Sequence, residues 1–379
     1  MSHGRGVRVL VIPSIFAVGS ARARVPSGQV GVVLATVAIM TSPRRPWYRR
    51  PSRVVPLALL ASGMTVAVVA LISPWPAALL IRGVFEKGAR DTIAEMEPYA
   101  PTSGLRESLD VSYGDAGTDT TFDVFTPAAG DEPLTTVVWI HGGAWISGFK
   151  EDVRPYVRML AAEGFTTVSL NYTVAPEQSY PAALTQLNDA LAFLVDNAAE
   201  YRIDPDRLII AGDSAGANLT SQLAVLTTSP EYATEVGLTP ALDPSQLRAV
   251  ILNCGIYDVS EIPNAPGIAG WGFRIALWSY LGARDWQDTP GDRQMSTLEW
   301  VTDDFPTTWI SGGNGDPLTE SQSRPLAAKL ESLGVEVESV FYPQDHEPEL
   351  PHEYQFHLDY EDARAAFSST LAFLRGLPG

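Results

Sequence analysis

Arg207-Leu208-Ile209-Ile210-Ala211-Gly212-Asp213-Ser214-Ala215-Gly216-Ala217-Asn218-Leu219-Thr220-Ser221-Gln222-Leu223-Ala224 is the stretch that decides the fold. Its first five residues form an apolar run short enough to be a buried strand, and Ala217 to Ala224 reads as a helix. Between them lies G-x-S-x-G. In a strand–turn–helix context this motif lifts a serine hydroxyl above the edge of a sheet. The glycines remove Cβ clashes where backbones pass closely. The N-terminus of the helix favours negative charge next to the Ser214 hydroxyl.

A serine nucleophile requires a base, an acid that orients the base, and donors for the oxyanion. Thr135-Thr136-Val137-Val138-Trp139-Ile140 reads as a buried strand that runs into His141-Gly142-Gly143-Ala144-Trp145. A glycine-rich loop of this HGG type turns backbone N–H groups toward an acyl oxygen. The candidate donors are the N–H groups of Gly142, Gly143 and Ala144, with that of Ala215 just after the serine. Alanine at 144 keeps its N–H. His141 reads as a structural side chain that pins the loop, because backbone does the work of this motif.

The candidate acid is Asp316. Thr307-Thr308-Trp309-Ile310-Ser311-Gly312-Gly313-Asn314-Gly315-Asp316-Pro317-Leu318 is a strand running into a glycine-rich loop, and catalytic groups in open α/β sheets gather at such strand ends. Asp before Pro is also a good helix start, so Asp316 has a capping role as well. Glu320 is the alternative acid. His346, His352 and His357 all follow the strand expected over 335–342, and each satisfies the chain order Ser, Asp, His. We take His352 as the base, because it opens His352-Glu353-Tyr354-Gln355-Phe356 shortly before the last helix, expected from Glu361 to Leu374. His346, in an acidic, proline-containing loop, is the alternative base.

The ordered set His141-Gly142-Gly143-Ala144-Trp145, Gly212-Asp213-Ser214-Ala215-Gly216, Asp316-Pro317-Leu318 and His352-Glu353-Tyr354-Gln355-Phe356 resembles the hormone-sensitive-lipase-like branch of the α/β-hydrolase esterases and lipases. The resemblance covers residues 105 to 379. It implies that Ser214 is acylated, that Asp316 orients the histidine, and that Gly143 and Ala144 donate to the oxyanion. The family's histidine usually stands in His-Gly-Phe. Here it stands in His-Glu-Tyr, behind a loop lengthened by Gln344-Asp345-His346-Glu347-Pro348-Glu349-Leu350-Pro351.

Charge is distributed very unevenly. Residues 1–90 hold 12 Lys+Arg and 1 Asp+Glu, and residues 91–379 hold 14 and 43, so net charges of +11 and −29 make up the total of −18. A strongly acidic globular part argues against nucleic-acid binding and for solubility. The single cysteine, Cys254, lies in the apolar run from Ala249 to Tyr257 and reads as a small buried hydrophobe. No Cys/His metal spacing occurs, so neither metal nor cofactor is expected.

Val54 to Ile72 is an uncharged, apolar run of 19 residues, about 28 Å as a helix and close to the thickness of a bilayer core. Arg44, Arg45, Arg49, Arg50 and Arg53 precede it. The positive-inside rule then puts the N-terminus in the cytoplasm and the acidic part outside. No clear A-x-A site follows, which favours an uncleaved anchor in the cell membrane over a removed signal peptide. The organisation expected is a basic segment over 1–53, a transmembrane helix over 54–72, an amphipathic helix and linker over 73–104, and a catalytic domain over 105–379. Met40 opens a basic leader, so residues 1–39 are a candidate over-annotated start.

Within the catalytic domain a β-hairpin over 109–125 leads the sheet. Helices and short buried strands then alternate, with helices at 151–163 and 181–200 and a strand at 166–170. Such alternation implies a mostly parallel central sheet with helices on both faces. Residues 261–299 break the rhythm with Trp271, Phe273, Trp278, Tyr280 and Trp286, and read as a small inserted helical cap whose aromatics are its ordinary core or, alternatively, an apolar wall for an acyl or aryl group. The whole implies an α/β-hydrolase fold and a serine carboxylic-ester hydrolase, working through an acyl-enzyme on small to medium apolar esters. An acyltransferase with the same residues and a non-catalytic hydrolase-like interaction module are the alternatives.

Overall fold

A computed structural model describes residues 71–378 except 261 and 263–266, together with 63, 64 and 69. The basic segment 1–53, the candidate start at Met40 and most of the expected span over 54–72 lie outside the described residues. Among the described residues no helix is long and apolar enough to cross a membrane.

The described strands form one eight-stranded sheet. They are β1 (Leu105–Ser112), β2 (Thr121–Pro127), β3 (Leu134–Ile140), β4 (Thr166–Leu170), β5 (Ile203–Asp213), β6 (Leu247–Asn253), β7 (Thr307–Gly312) and β8 (Val337–Phe341). Their spatial order is β1-β2-β4-β3-β5-β6-β7-β8. The first two pairings, β1 with β2 and β2 with β4, are antiparallel, and the rest are parallel. Parallel neighbours require crossover connections, and the chain supplies helices for them.

The described α-helices are α1 (Trp75–Met96), which precedes the sheet, α2 (Arg154–Ala162), α3 (Ala182–Asp196), α4 (Ala215–Thr228), α5 (Pro230–Val236), α6 (Gly267–Leu281), α7 (Pro290–Met295), α8 (Arg324–Ser332) and α9 (Glu361–Gly376), which follows it. Side chains alternate across a strand, and the central strands feed two cores accordingly. Val138, Ile140, Leu208, Ile210, Val250 and Leu252 face one side, where they meet residues of α3 and α4 such as Leu187, Leu191, Leu219 and Leu223. Val137, Trp139, Ile209, Ala211, Ala249, Ile251 and Trp309 face the other, against Tyr156 and Leu160 of α2 and Phe373 and Leu374 of α9. An apolar run with no polar alternation therefore reads correctly as a strand covered on both faces.

Register brings the strand ends level. Ile140 pairs with Gly212, Gly212 with Leu252, Asp213 with Asn253, and Asn253 with Ser311. The loops after β3, β5, β6 and β7 thus emerge side by side. Helix α4 starts directly above this line and approaches it closely. A Cβ on Gly216 would lie 2.1 Å from the Ile140 carbonyl oxygen, and one on Gly212 would lie 2.5 Å from the Gly216 carbonyl. Neither glycine has a positive φ, so space, rather than backbone conformation, is what demands glycine here.

The insertion between β6 and β7 carries α6 and α7. Tyr280 and Trp286 are buried there, and Trp271 is exposed. Helix α6 packs against α1, so residues from before the sheet and from inside it share the cap. Because the Gly216 clash is with backbone, Gly216→Ala should cost about 3 kcal/mol or more, the upper end of overpacking. Urea unfolding against the parent protein measures this, and a loss below about 1 kcal/mol would contradict the close crossing.

Candidate active site

The turn after β5 carries Ser214 at φ 51° and ψ −117°, a conformation sparsely populated for residues with a side chain. Two backbone bonds hold it. Ser214 N–H donates to the Asn253 carbonyl at 2.9 Å, and its own carbonyl accepts from Asn218 N–H at 3.2 Å. Ser214 is buried, and its Oγ lies 3.0 Å from His352 Nε2. His352 Nδ1 in turn lies 2.8 Å from Asp316 Oδ2. The structure therefore brings together the expected nucleophile, base and acid.

Asp316 sits at the end of the glycine-rich loop after β7. Its Oδ1 accepts from Leu318 N–H at 2.9 Å, so one oxygen closes the start of the following turn while the other faces the imidazole. Glu320 instead pairs with Arg324 at 2.8 Å. The lengthened loop that delivers His352 is clamped by Asn314. Its Nδ2 donates to the His346 carbonyl and its Oδ1 accepts from Leu350 N–H, both at 2.9 Å. The Leu350 carbonyl accepts from Gly315 N–H at 2.9 Å. His346 points to α9, where its Nε2 meets Asp362 at 3.1 Å. His357 meets Glu95 of α1 at 2.9 Å.

Burial by itself would lower the His352 imidazole, but neighbouring Cys254 and Asp316 outweigh it and hold its pKa well above the ordinary 6.5. The Cys254 share requires a thiolate, and burial pushes that thiol up to about 11. Asp316 is therefore the neighbour that favours the imidazolium at neutral pH. The nearness of Cys254 was not foreseen. It directly follows β6 with φ 42°, and its Sγ, a His352 nitrogen and an Asp316 oxygen all lie within 4.8 Å of one another. The level strand ends put it there, and no local pattern signals it.

The loop after β3 folds as a tight turn. Gly143 has φ 103°, Ala144 52° and Trp145 60°, and a Cβ on Gly143 would lie 2.2 Å from the Ser147 carbonyl oxygen. Buried Trp145 stacks on Tyr280, with centroids 5.5 Å apart and planes 8° apart. His141 stacks on Tyr172 at 4.4 Å, and burial lowers it to about 4, so it is a neutral packing residue. At the far end of the loop Lys150 is buried, with Asp110 at 2.7 Å and Asp123 at 2.9 Å.

Gly142 departs from the sequence expectation. Its N–H donates to Asp213 Oδ2 at 2.7 Å, so it is not available to an oxyanion. Asp213 Oδ1 accepts from Trp139 Nε1 at 2.7 Å. Among the described residues the N–H groups of Gly143 and Ala144 have no acceptor, and Ala215, the first residue of α4, presents an N–H that the helix does not use. The free donors are thus those of Gly143, Ala144 and Ala215. Burial, then the nearby Glu353 carboxylate, push Asp213 well above the usual carboxylate range. Glu353 has φ 59°, and its Oε1 lies 3.8 Å from His352 Nε2. The His-Glu pair in place of His-Gly was the one sequence sign of this second carboxyl group.

Above these groups is a cavity of about 390 Å³, lined by Ser214, His352, Glu353 and the 141–148 loop, with Val84, Phe85, Gly88, Ala89 and Thr92 of α1 and Phe273 of α6 as its apolar wall. The BD-FAE family model matches residues 122–330. The chain belongs to the BD-FAE family of α/β-hydrolase esterases and lipases. Carboxylesterase NlhH of Mycobacterium tuberculosis is 30% identical over 282 residues, which are 71% of this chain and 82% of NlhH. Esterase LipQ of the same organism is 27% identical over 246 residues, 63% of this chain. The match spans 56% of the length of LipQ. Among solved structures, esterase B from Lactobacillus rhamnosis superposes with a TM-score of 0.69 at 22% identity, over 79% of this chain and 95% of that one. That likeness is one of fold.

The contacts around His352 predict its titration. The imidazole should titrate above 6.5, and Asp316→Asn should move the midpoint down, because the remaining burial favours the neutral ring. Histidine NMR titration reads both, and an unmoved midpoint in Asp316→Asn would contradict the assigned cause. His346→Ala should leave the midpoint in place.

Proposed function

We propose that this protein is a serine carboxylic-ester hydrolase acting through an acyl-enzyme on small to medium apolar esters. The observation that carries the reading is the continuous line from Ser214 Oγ through His352 to Asp316, at 3.0 and 2.8 Å, beside three free backbone donors. Its family and the esterase names of its relatives support it.

In the reaction proposed, His352 Nε2 takes the Ser214 proton as Oγ attacks the ester carbonyl carbon. The N–H groups of Gly143, Ala144 and Ala215 hold the resulting oxyanion. The imidazolium returns its proton to the departing alkoxide, which leaves as the alcohol. Water, deprotonated by His352, then attacks the acyl-serine, and the acid departs with Ser214 restored. Asp316 keeps the Nδ1–H tautomer and favours the imidazolium. No step calls on a cofactor. The cavity volume and its aliphatic and aromatic wall fit a modest acyl or alkoxy group.

The uncharged run 54–72 behind five arginines supports a further part of the reading, that the chain is anchored in the cell membrane with its acidic domain outside the cytoplasm.

Ser214→Ala should lower kcat on p-nitrophenyl butyrate by about 10⁴-fold or more, and retention of a tenth of the activity would overturn the nucleophile. Only the neutral imidazole accepts a proton, so kcat/KM should rise with pH through a midpoint above 6.5. Asp316→Asn should shift that limb to lower pH while reducing kcat. Across p-nitrophenyl esters, kcat/KM should peak at short to medium acyl chains and fall about 10-fold or more by palmitate. A rate that climbs steadily to palmitate would refute the size preference.

A further inference from the structure

Helix α1 is divided along its length. From Val54 to Ile81 the sequence has no charged residue, and the last part of that stretch is already the first turns of α1. Arg82 is the first charge, and it turns inward. Its guanidinium donates to the Ile146 and Ala175 carbonyls at 2.6 and 2.8 Å and pairs with Glu177 at 2.6 Å. Charged residues follow only from Glu86, with Lys87, Arg90 and Asp91. The outward surface before that point is apolar, with Ile72 74% exposed, Leu80 65% and Val84 64%. Helix α6, packed alongside, adds Ile268 at 83% exposed and the partly exposed Trp271.

Two features say what covers this surface. First, it continues in sequence the uncharged run that reads as a membrane span, so the patch is the part of the domain nearest to that run along the chain. Second, the domain is otherwise strongly acidic, yet no carboxylate falls between residues 54 and 85. A lipid surface tolerates such a patch, and open water does not favour one. The patch also adjoins the site, because Val84 and Phe85 belong both to its edge and to the cavity wall, as does Phe273 of α6.

We propose that the first half of α1 and the start of α6 rest on the bilayer surface and open the cavity toward it, so that the substrates are esters dissolved in the membrane. The proposal rests on the esterase reading for its substrate half only. Docking is by apolar contact. It should therefore work on zwitterionic phosphatidylcholine and be insensitive to salt, since the acidic domain gains nothing from anionic lipid.

The test uses the full chain reconstituted in phosphatidylcholine vesicles. A Leu80→Glu/Ile268→Glu double variant lies outside the cavity lining. It should hydrolyse dioctanoylglycerol in those vesicles at least 10-fold more slowly than the parent, while water-soluble p-nitrophenyl butyrate is turned over within twofold. Equal effects on both esters, or none on either, would overturn the substrate claim. Docking is read independently of activity through a fluorophore on Ile268→Cys, since Cys254 is buried. Quenching by brominated phosphatidylcholine supports docking. No quenching, with disulfide cross-linking at 268 between two chains, would assign the face to a second copy and overturn it. A parent inactive on both esters but quenched at 268 would count against the esterase reading and leave docking supported.

Discussion

The crossing of helix α4 over strands β3 and β5 is the constraint on which the site depends. Gly216 lies so near the Ile140 carbonyl that any side chain carbon would overlap backbone. With the helix seated that low, the turn before it has no room to spread, and Ser214 takes up the bend at φ 51°. A strained residue persists only where its surroundings over-determine it. Here they do so through bonds to Asn253 and Asn218 and through the buried helix behind. The same low seat places the first N–H groups of α4 beside the serine oxygen, where a developing negative charge gains most.

The residue before the serine joins the elbow to the oxyanion loop. Asp213 takes Trp139 Nε1–H from β3 with one oxygen and Gly142 N–H with the other. The loop therefore cannot shift without disturbing the turn that carries Ser214. This also explains why the first glycine of the loop is consumed in structure while the next two residues remain free to donate. Glu353 adds a second carboxyl group beside that of Asp213, where a Cβ on Gly142 would meet both. Glycine at 142 thus leaves space for two acidic side chains as well as for the turn.

Features written in contiguous residues were legible in the sequence. The strand–GDSAG–helix unit, the HGG loop and the Asp-Pro pair at a strand end each obey a local rule of backbone geometry, and each stands where that rule puts it. Features that arise from strand register were not. Cys254 reaches His352 because Asn253 pairs with both Asp213 and Ser311, a consequence of three strands separated by long crossovers. The histidine choice was half legible. Spacing to α9 favoured His352, but the reason the longer loop can deliver it is the Asn314 clamp, which joins residues more than thirty positions apart. Helix α1 was read as amphipathic. Its core-facing side is as expected, with Ala78 and Met96 buried, but its outward side turns polar only from Glu86. A periodicity averaged over the whole helix conceals that change.

Helix α1 is fastened at both ends to the loops that hold the reacting groups. Near its start, Arg82 grips the Ile146 and Ala175 carbonyls, one at the end of the oxyanion loop and one beyond β4. Near its end, Glu95 pairs with His357, five residues past His352. The cap helix is therefore part of the frame that sets the distance between oxyanion donors and base. A lid that swung free would have to break the charge-assisted bonds of Arg82, which are the stronger kind. The Glu95–His357 pair is a single contact at 2.9 Å, where Arg82 makes several. Val84 and Phe85, which line the cavity over Ser214, stand on this fastened helix. The part of the chain that follows the apolar N-terminal run in sequence is thus the same part that walls the cavity.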